Sequence, residues 1–376
     1  MGTKNSNSSE NGVVHLVDDL LNRAIRGRGS DVHFEPGERE MRVRYRIDGL
    51  LHDLDRIPGQ LAENVIARLK VLAGLLTYRI DIPQEGAFNS RQIEGANGEP
   101  LDLRVATFPT VRGERAVVRL LHTVGQISGL EELGLDQSLV TEFERAARQP
   151  QGLILVTGPA GSGKSTTLYA IARYILSEDP GRSVVSLEDP VEQRIAGMTQ
   201  IQIAPHGELN YPRAMRSLLR QDVQVLLVGE IRDAETAHVV VEASLTGHLI
   251  MSTMHSGDPA ETIVRLLEMG IAPYQLVSAL NVVCAQRLVR TVCPACKGRG
   301  ECEPCAGTGY AGRTACGQLA AMDETLRQAI LDHRPVGELR KIVNRQRPDL
   351  TTDGKRLVDA GRTTLDELRR VLGDVE

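Results

Sequence analysis

The spacing of apolar residues follows two different rules along this chain, and the change falls near residue 150. Before it, alternation dominates. In MRVRYRIDG (41–49), Met41, Val43, Tyr45 and Ile47 fall on one face and Arg42, Arg44 and Arg46 on the other, the pattern of a half-buried antiparallel strand with a solvated basic face. DVHFEP (31–36) is a short strand ending at a turn, and LVDDLLNRAI (16–25) has helical spacing. LAENVIARLKVLAGLL (61–76) places Leu61, Val65, Leu69, Leu72 and Leu76 on one stripe, which predicts a helix against that sheet. LDLRVATF (101–108) and AVVRLL (116–121) return as strands joined by PTVRGE. Strands with one or two helices predict an α+β domain over 13–130, behind a disordered polar tail at 1–12.

From 151 the apolar runs become continuous. LILVT (153–157), SVVSL (183–187), VQVLLV (223–228) and LIMST (249–253) are separated by helical stretches. Buried parallel strands read this way, so an α/β domain is expected over 131–290. A cysteine-rich element spans 291–318. MDETLRQAILDH, VGELRKIVNRQ and TTLDELRRVLGD then predict small closing helices within 319–376, the last with a Thr cap and a Glu three residues on.

Composition removes several function classes. Tryptophan is absent and aromatics make up 3% of 376 residues, which argues against base-stacking nucleic-acid platforms. Net charge is −5, so no global basic field recruits DNA or an anionic membrane. The longest apolar runs are far too short to span a bilayer, and no apolar signal core follows the polar N-terminus. A cytoplasmic protein is expected, with any membrane role exercised through a partner. In a reducing compartment clustered thiols point to metal rather than to disulfides.

The strongest chemical signal is G-x-x-x-x-G-K-S, spanning Gly158, Pro159, Ala160, Gly161, Ser162, Gly163, Lys164 and Ser165, with Thr166 next. An apolar strand precedes it and a helical run (166–176) follows, the context a phosphate loop demands. Glycines let backbone N–H groups turn onto phosphate oxygens, and the helix start adds free N–H groups. Lys164 would neutralise β/γ-phosphate charge and Ser165 would ligate Mg²⁺. VQVLLVGEIRD delivers Glu230 beyond a second strand, where a longer side chain than the usual Asp must reach the metal. VSLEDPVE ends another strand with Glu188 and Asp189, a carboxylate able to orient or deprotonate water. Thr253 and His255 lie beyond a fourth strand, where His255 could sense a γ-phosphate. Taken singly, each acidic group reads first as a solvated strand end or a helix cap. Three such ends in one domain make coincidence a poor account.

GPAGSGKSTTLYA, SLEDPVE, LLRQDVQVLLVGEIRDAETA, LTGHLIMSTMHSGD and AQRLVRTVCPAC occur in the order seen in secretion-superfamily ATPases. The chain resembles the branch that powers type II secretion and type IV pilus assembly. SDVHFEP, RVRYRIDGLL, LRVATFPTVRGERAVVRLL, CAGTGYAGR and TTLDELRRVLGD extend the likeness from about residue 13 to the end. It implies a RecA-like P-loop motor domain behind an α+β, PAS-like domain. It further implies a homo-hexameric cytoplasmic motor using ATP and Mg²⁺, peripheral to the inner membrane through platform proteins. Glu188/Asp189, Glu230 and His255 take the places of the family's acidic boxes and histidine box. Front-domain arginines that reach the nucleotide would come from Arg104, Arg112, Arg115 and Arg119, with Arg104 and Arg119 favoured. The chain departs from the pattern in four ways. It begins almost at the family's second domain, PQEGAF stands in place of PQDGR, Gln318 replaces an acidic residue, and the cysteine pairs lie close together.

Those pairs are Cys293/Cys296 and Cys302/Cys305, in C-x-x-C-x-G-x-G units at 293–300 and 302–309. The assembly branch has a tetracysteine zinc site here, which its retraction-type relatives lack. Two C-x-x-C turns can complete a tetrahedron around Zn²⁺, and Gly298, Gly300, Gly307 and Gly309 permit the tight backbone. The repeated unit also resembles a zinc-binding co-chaperone repeat, read here as local convergence. Cys284 and Cys316 have no partner at ligand spacing and are expected as small buried apolar groups. Two other readings stand beside the motor. One is a nucleic-acid translocase or DNA-uptake or conjugation-type ATPase, which the charge and scarce aromatics disfavour. The other is a non-catalytic zinc scaffold, against which Lys164, Glu188 and Glu230 weigh.

Overall fold

The structure is a computed structural model that describes residues 6–96, 100–121, 127–203, 209–300, 302, 305 and 307–373. It forms two compact units, one of residues 1–126 with 299–309 and one of 127–298 with 310–376.

In the first unit, helix α1 (Ser6–Arg26) is followed by strands β1 (Asp31–Pro36), β2 (Glu40–Ile47) and β3 (Leu50–Pro58). Helix α2 (Ala62–Leu72) leads to β4 (Gln84–Asn89), β5 (Asp102–Thr110) and β6 (Gly113–Leu121). The sheet order is β3-β2-β1-β6-β5-β4, and every neighbouring pair is antiparallel. Leu20 and Leu21 of α1 and Val65 and Leu69 of α2 bury against Val32, Phe34, Val43, Leu103 and Val118 of the strands. Alternation leaves the other sheet face polar: Arg42 pairs with Asp53, and Arg44 with Glu35. Two expectations are corrected here. Residues 6–12 belong to α1 rather than to a tail, and residues 1–5 lie outside the described residues. The helix expected over 61–76 stops at Leu72, so Leu76 leaves the stripe and is exposed. Gln84, in the departing PQEGAF, pins the segment after that helix, donating to the carbonyls of Leu76 and Arg79 at 3.0 and 2.8 Å.

The second unit opens with α3 (Gln137–Ala147), β7 (Gly152–Thr157), α4 (Lys164–Glu178), β8 (Val184–Glu188) and β9 (Thr199–Gln202). Helix α5 (Tyr211–Leu218), β10 (Val225–Val228), α6 (Ala234–Leu245) and β11 (Leu249–Met254) follow. After α7 (Pro259–Glu268) and α8 (Pro273–Ala279), β12 (Leu280–Val292) pairs with β13 (Tyr310–Ala321). The chain closes with α9 (Glu324–Leu331), α10 (Val336–Gln346), α11 (Leu350–Asp359) and α12 (Leu365–Leu372). Sheet order is β13-β12-β7-β11-β10-β8-β9, parallel except for the β12/β13 pair.

Strands buried on both faces explain the continuous apolar runs. Leu153 and Leu155 of β7 face a core built with α5 to α10, while Ile154 and Val156 face α3 and α4. The closing helices are therefore not a separate layer: Leu326, Ile330, Leu339 and Val343 of α9 and α10 lie in the strand core. Helix α12 starts as its cap predicts, with the Thr364 hydroxyl accepting from the Glu367 N–H at 3.1 Å. Several elements lie outside the expected set, among them β9, β12, β13 and α11. Strand β13 interrupts the stretch assigned to the cysteine element and the closing helices, and α11 carries a mid-helix Gly354 that hides its period.

Candidate nucleotide site and cysteine cluster

Strands β7, β8, β10 and β11 run parallel, so their carboxyl ends share one edge of the sheet. Ligands bind at that edge in open α/β sheets. The phosphate loop leaves it at Gly158 and enters α4 at Lys164. Gly161 and Gly163 have φ of 75° and 87°, left-handed values that turn successive N–H groups to one side. Gly163 caps α4 without a side-chain bond, which leaves the helix's first N–H groups open to an anion. Pro159, Ala160 and Gly161 are exposed at the loop crest, and Ser162 is buried. The Lys164 ammonium is buried inside the loop, donating to the Gly158 and Pro159 carbonyls at 2.9 and 3.0 Å. Burial pulls its pKa below the ordinary lysine value and Arg287 adds to this, while Glu230 and Glu192 oppose it. The Ser165 and Thr166 hydroxyls are half-buried and have no hydrogen-bond partner among the described residues.

Glu188 ends β8 and is buried. Its Oε1 accepts from Ser186 Oγ at 2.5 Å and Gln200 Nε2 at 3.1 Å, and its Oε2 accepts from the Tyr169 hydroxyl of α4. Two donors fill the lone pairs of Oε1; one lone pair remains on Oε2 for an incoming proton. Burial, then the bond to Glu188, raises the Tyr169 pKa far above its usual value, so Tyr169 is a fixed donor. Asp189, next along, is exposed.

Glu230 lies just beyond β10, ion-paired with Arg232 and 3.4 Å from Nε2 of the half-exposed His255. Thr253 is not beyond its strand: it is buried inside β11 and donates its hydroxyl to the Gly229 carbonyl at 2.8 Å, while Ile231 N–H donates back to the Thr253 carbonyl at 2.9 Å. Thr253 thus fixes the backbone on both sides of Glu230. Gln318 is buried on β13 and donates to the exposed Asn344 at 2.7 Å, a neutral pair at the position where the resemblance implies an acidic residue.

In the first unit, Arg104 of β5 stands opposite Arg119 of β6, both exposed. Like charges directly opposite are unfavourable in a sheet. Arg119 pairs with Asp31 at 3.0 Å, Arg115 with Glu35 at 3.5 Å and Arg112 with Glu38 at 2.7 Å. Among the described residues, Arg104 has no ion-pair partner.

Cys293, Cys296, Cys302 and Cys305 bring their sulfurs within 4.8 Å of one another, and all but Cys302 are buried. Tetrahedral zinc with Zn–S near 2.3 Å sets sulfurs ~3.8 Å apart, so the donor set fits that metal. Gly298, Gly300, Gly307 and Gly309 all have positive φ, between 73° and 82°. Cys284 and Cys316 are fully buried in separate apolar clusters, and burial pushes the Cys316 thiol up to about 12.

Sequence reading missed the side chains that hold these groups: Tyr169, Ser186 and Gln200 around Glu188, and Gln286 behind the phosphate loop. Tyr169 was the most accessible of them, since it lies one helical turn after Ser165.

A phosphate loop at the carboxyl edge of a parallel sheet, with acidic residues on the neighbouring strand ends, defines a RecA-like P-loop ATPase. Residues 6–370 match the model of the family described as Type II/IV secretion system protein, and the chain belongs to that family. It is 38% identical to the Type II secretion system protein HxcR of Pseudomonas aeruginosa, over 96% of this chain and 78% of that one. It is likewise 38% identical to the Type II secretion system ATPase E of Vibrio cholerae, over 96% of this chain and 75% of that one. The Type IV pilus assembly ATPase PilB of Thermus thermophilus is 38% identical over 96% of this chain and 43% of its own length. Among solved structures, the Yersinia pseudotuberculosis ATPase DotB superposes with a TM-score of 0.75 at 21% identity, covering 96% of this chain and 93% of that one. The pilus retraction motor PilT with bound ADP gives 0.64 at 22% identity, covering 94% of this chain and 96% of that one. These two likenesses speak to the fold.

Proposed function

We propose that this chain is the ATP-hydrolysing motor of a type II secretion or type IV pilus assembly machine. The observation that carries the reading is the clustering of strand ends around the phosphate loop: Lys164 within it, Glu188 on β8, Glu230 after β10 and His255 after β11. The N–H groups of Gly161 and of Gly163 to Thr166 bind the β- and γ-phosphates, while the Ser162 N–H stays on the Pro159 carbonyl, and Lys164 leaves its two loop carbonyls to neutralise them. Ser165 and Glu230 would hold Mg²⁺, which would supply charge compensation for the transferring phosphoryl group. Glu188, with its one open lone pair, accepts the proton of the attacking water, and Tyr169, Ser186 and Gln200 hold it in that orientation. His255, held near Glu230, senses the γ-phosphate. Arg104 and Arg119 of the front unit supply positive charge to the nucleotide, Arg104 being free to do so.

The four cysteines hold one structural Zn²⁺. The chain works as a homo-hexamer in the cytoplasm, against inner-membrane platform proteins. Among the described residues no helix is long and apolar enough to cross a membrane. Phosphate release measured with Mg²⁺-ATP, with and without single- and duplex DNA, tests the reading against a translocase. Mg²⁺-dependent turnover indifferent to DNA is expected. Turnover that depends on DNA contradicts it, and no turnover by the assembled protein leaves the scaffold.

A further inference from the structure

The register of the sheet places one buried amide behind the phosphate loop. Ala285 of β12 pairs with Thr157, the last residue of β7. The next residue, Gln286, therefore lies beside the start of the loop, and it is 1% exposed. Its Nε2 donates to the Ser162 carbonyl at 2.8 Å, and its Oε1 accepts from the Thr167 hydroxyl at 2.7 Å. A Cβ added to Gly163 would lie 2.8 Å from that Nε2, and one on Gly158 2.5 Å from the Gln286 carbonyl oxygen. The loop thus touches Gln286 at both of its ends. Arg287 fixes the same stretch of strand, donating to the Gln286 and Gly257 carbonyls at 3.0 Å each.

A loop that offers N–H groups to phosphate must turn its carbonyls into the protein, where each needs a donor. Ser162 C=O and Gly163 N–H are opposite edges of one rigid peptide plane. Holding the oxygen towards the protein holds the N–H towards the phosphate side. Gly163 has no side chain to resist rotation of that plane, so the restraint must come from elsewhere. Thr167, one turn into α4, donates to the amide oxygen and leaves the amide nitrogen for Ser162. We propose that Gln286 is a positioning residue for nucleoside di- and triphosphates, keeping the Gly163 N–H aimed at the β-phosphate through the Ser162–Gly163 peptide. This rests on the nucleotide-loop reading above.

The test is ADP affinity by titration calorimetry on the full chain and its Lys164→Ala, Gln286→Ala and Thr167→Val variants, with thermal unfolding followed in parallel. Losing the donor to a buried carbonyl is expected to weaken ADP about tenfold in Gln286→Ala, and to raise KM for ATP more than it lowers kcat. Thr167→Val, which keeps the Ser162 bond but frees the amide to turn, is expected to weaken ADP about threefold. A folded Gln286→Ala protein with wild-type ADP affinity, even at a lowered Tm, overturns the proposal. If Gln286→Ala does not fold, unchanged affinity in Thr167→Val overturns it instead. Lys164→Ala separates the two claims. Wild-type ADP affinity there defeats the nucleotide-loop reading itself, whereas its loss beside an unaffected Gln286→Ala defeats only this inference.

Discussion

At the scale of single residues, Lys164 and Glu188 are charged groups held by neutral ones. Glu188 shows this most clearly, because three donors from two strands and one helix surround its carboxylate. Glu188→Gln keeps the shape but removes the acceptor charge. We expect it to bind ATP and to lose turnover by about 10²-fold or more, read as phosphate release beside nucleotide titration. Turnover at the wild-type rate would move the base to Glu230. Glu188, Lys164 and Glu230 were legible in the sequence because each sits in a short motif beside an apolar run. Tyr169, Gln200 and Gln286 were not. They meet their partners across strands or turns, and only the fold sets them side by side. Thr253 was read as a strand-end group because its motif adjoins His255; one more residue of strand buries it.

At the scale of elements, β12 and α12 are joined by one carboxylate. Glu367 of α12 is fully buried and accepts from Arg290 of β12 at 2.8 Å and from Arg370 at 2.6 Å. Arg290 also lies over the Tyr310 ring at 4.0 Å. Burial alone would raise the Glu367 pKa, but the bonds from Arg370 and Arg290 overcome it and bring the group to about 2 from 4.5. The folded value lies below the unfolded one, so the unfolded chain binds this proton more tightly. The stabilisation is complete above pH ~4.5 and is lost as pH falls towards ~2. Glu367→Gln leaves Arg290 without its anion and is expected to cost about 3 kcal/mol at neutral pH. Chemical denaturation at pH 7 and pH 3 checks both statements: the gap between wild type and variant should narrow in acid. Helix α12 was legible because its cap, acidic first turn and apolar period agree. Strand β13, rich in Ala and Gly, has no such agreement and takes its conformation from pairing with β12.

The cysteine cluster belongs to this scale as well. Metal analysis of protein purified without added zinc should find about one Zn²⁺ per chain, reduced in Cys302→Ser. Hydrogen exchange in the zinc-free protein should quicken over 290–320, while Lys164 keeps its protected helix. The β12 segment that faces the loop is held independently by β7. Full zinc content in Cys302→Ser removes the site as assigned.

At the scale of the whole molecule, the proposed function draws a positive charge from the first unit, since Arg232 just beyond β10 is already paired with Glu230. Arg104 and Arg119 stand together on an exposed sheet face at a cost in repulsion, and only Arg119 has a carboxylate to offset it. Under the proposed function this pair is assigned to an anion. Each single alanine variant is expected to fold, keep zinc and lose turnover on the order of 10³-fold. Mixing Arg104→Ala with Lys164→Ala protein should restore part of the rate if neighbouring chains share sites. The switch from alternating to continuous apolar runs separates the antiparallel sheet from the mostly parallel one. The boundary of α1 was not legible, since SNSSENG carries no apolar period of its own.

The measurement that tests the central claim most directly is Mg²⁺-dependent phosphate release from ATP by the wild-type chain and by Lys164→Ala, side by side at equal zinc content. The account predicts release by the wild type that stops on chelating Mg²⁺ and is absent in the variant. Equal release by both proteins would contradict it, because the hydrolysis would then not arise in the phosphate loop.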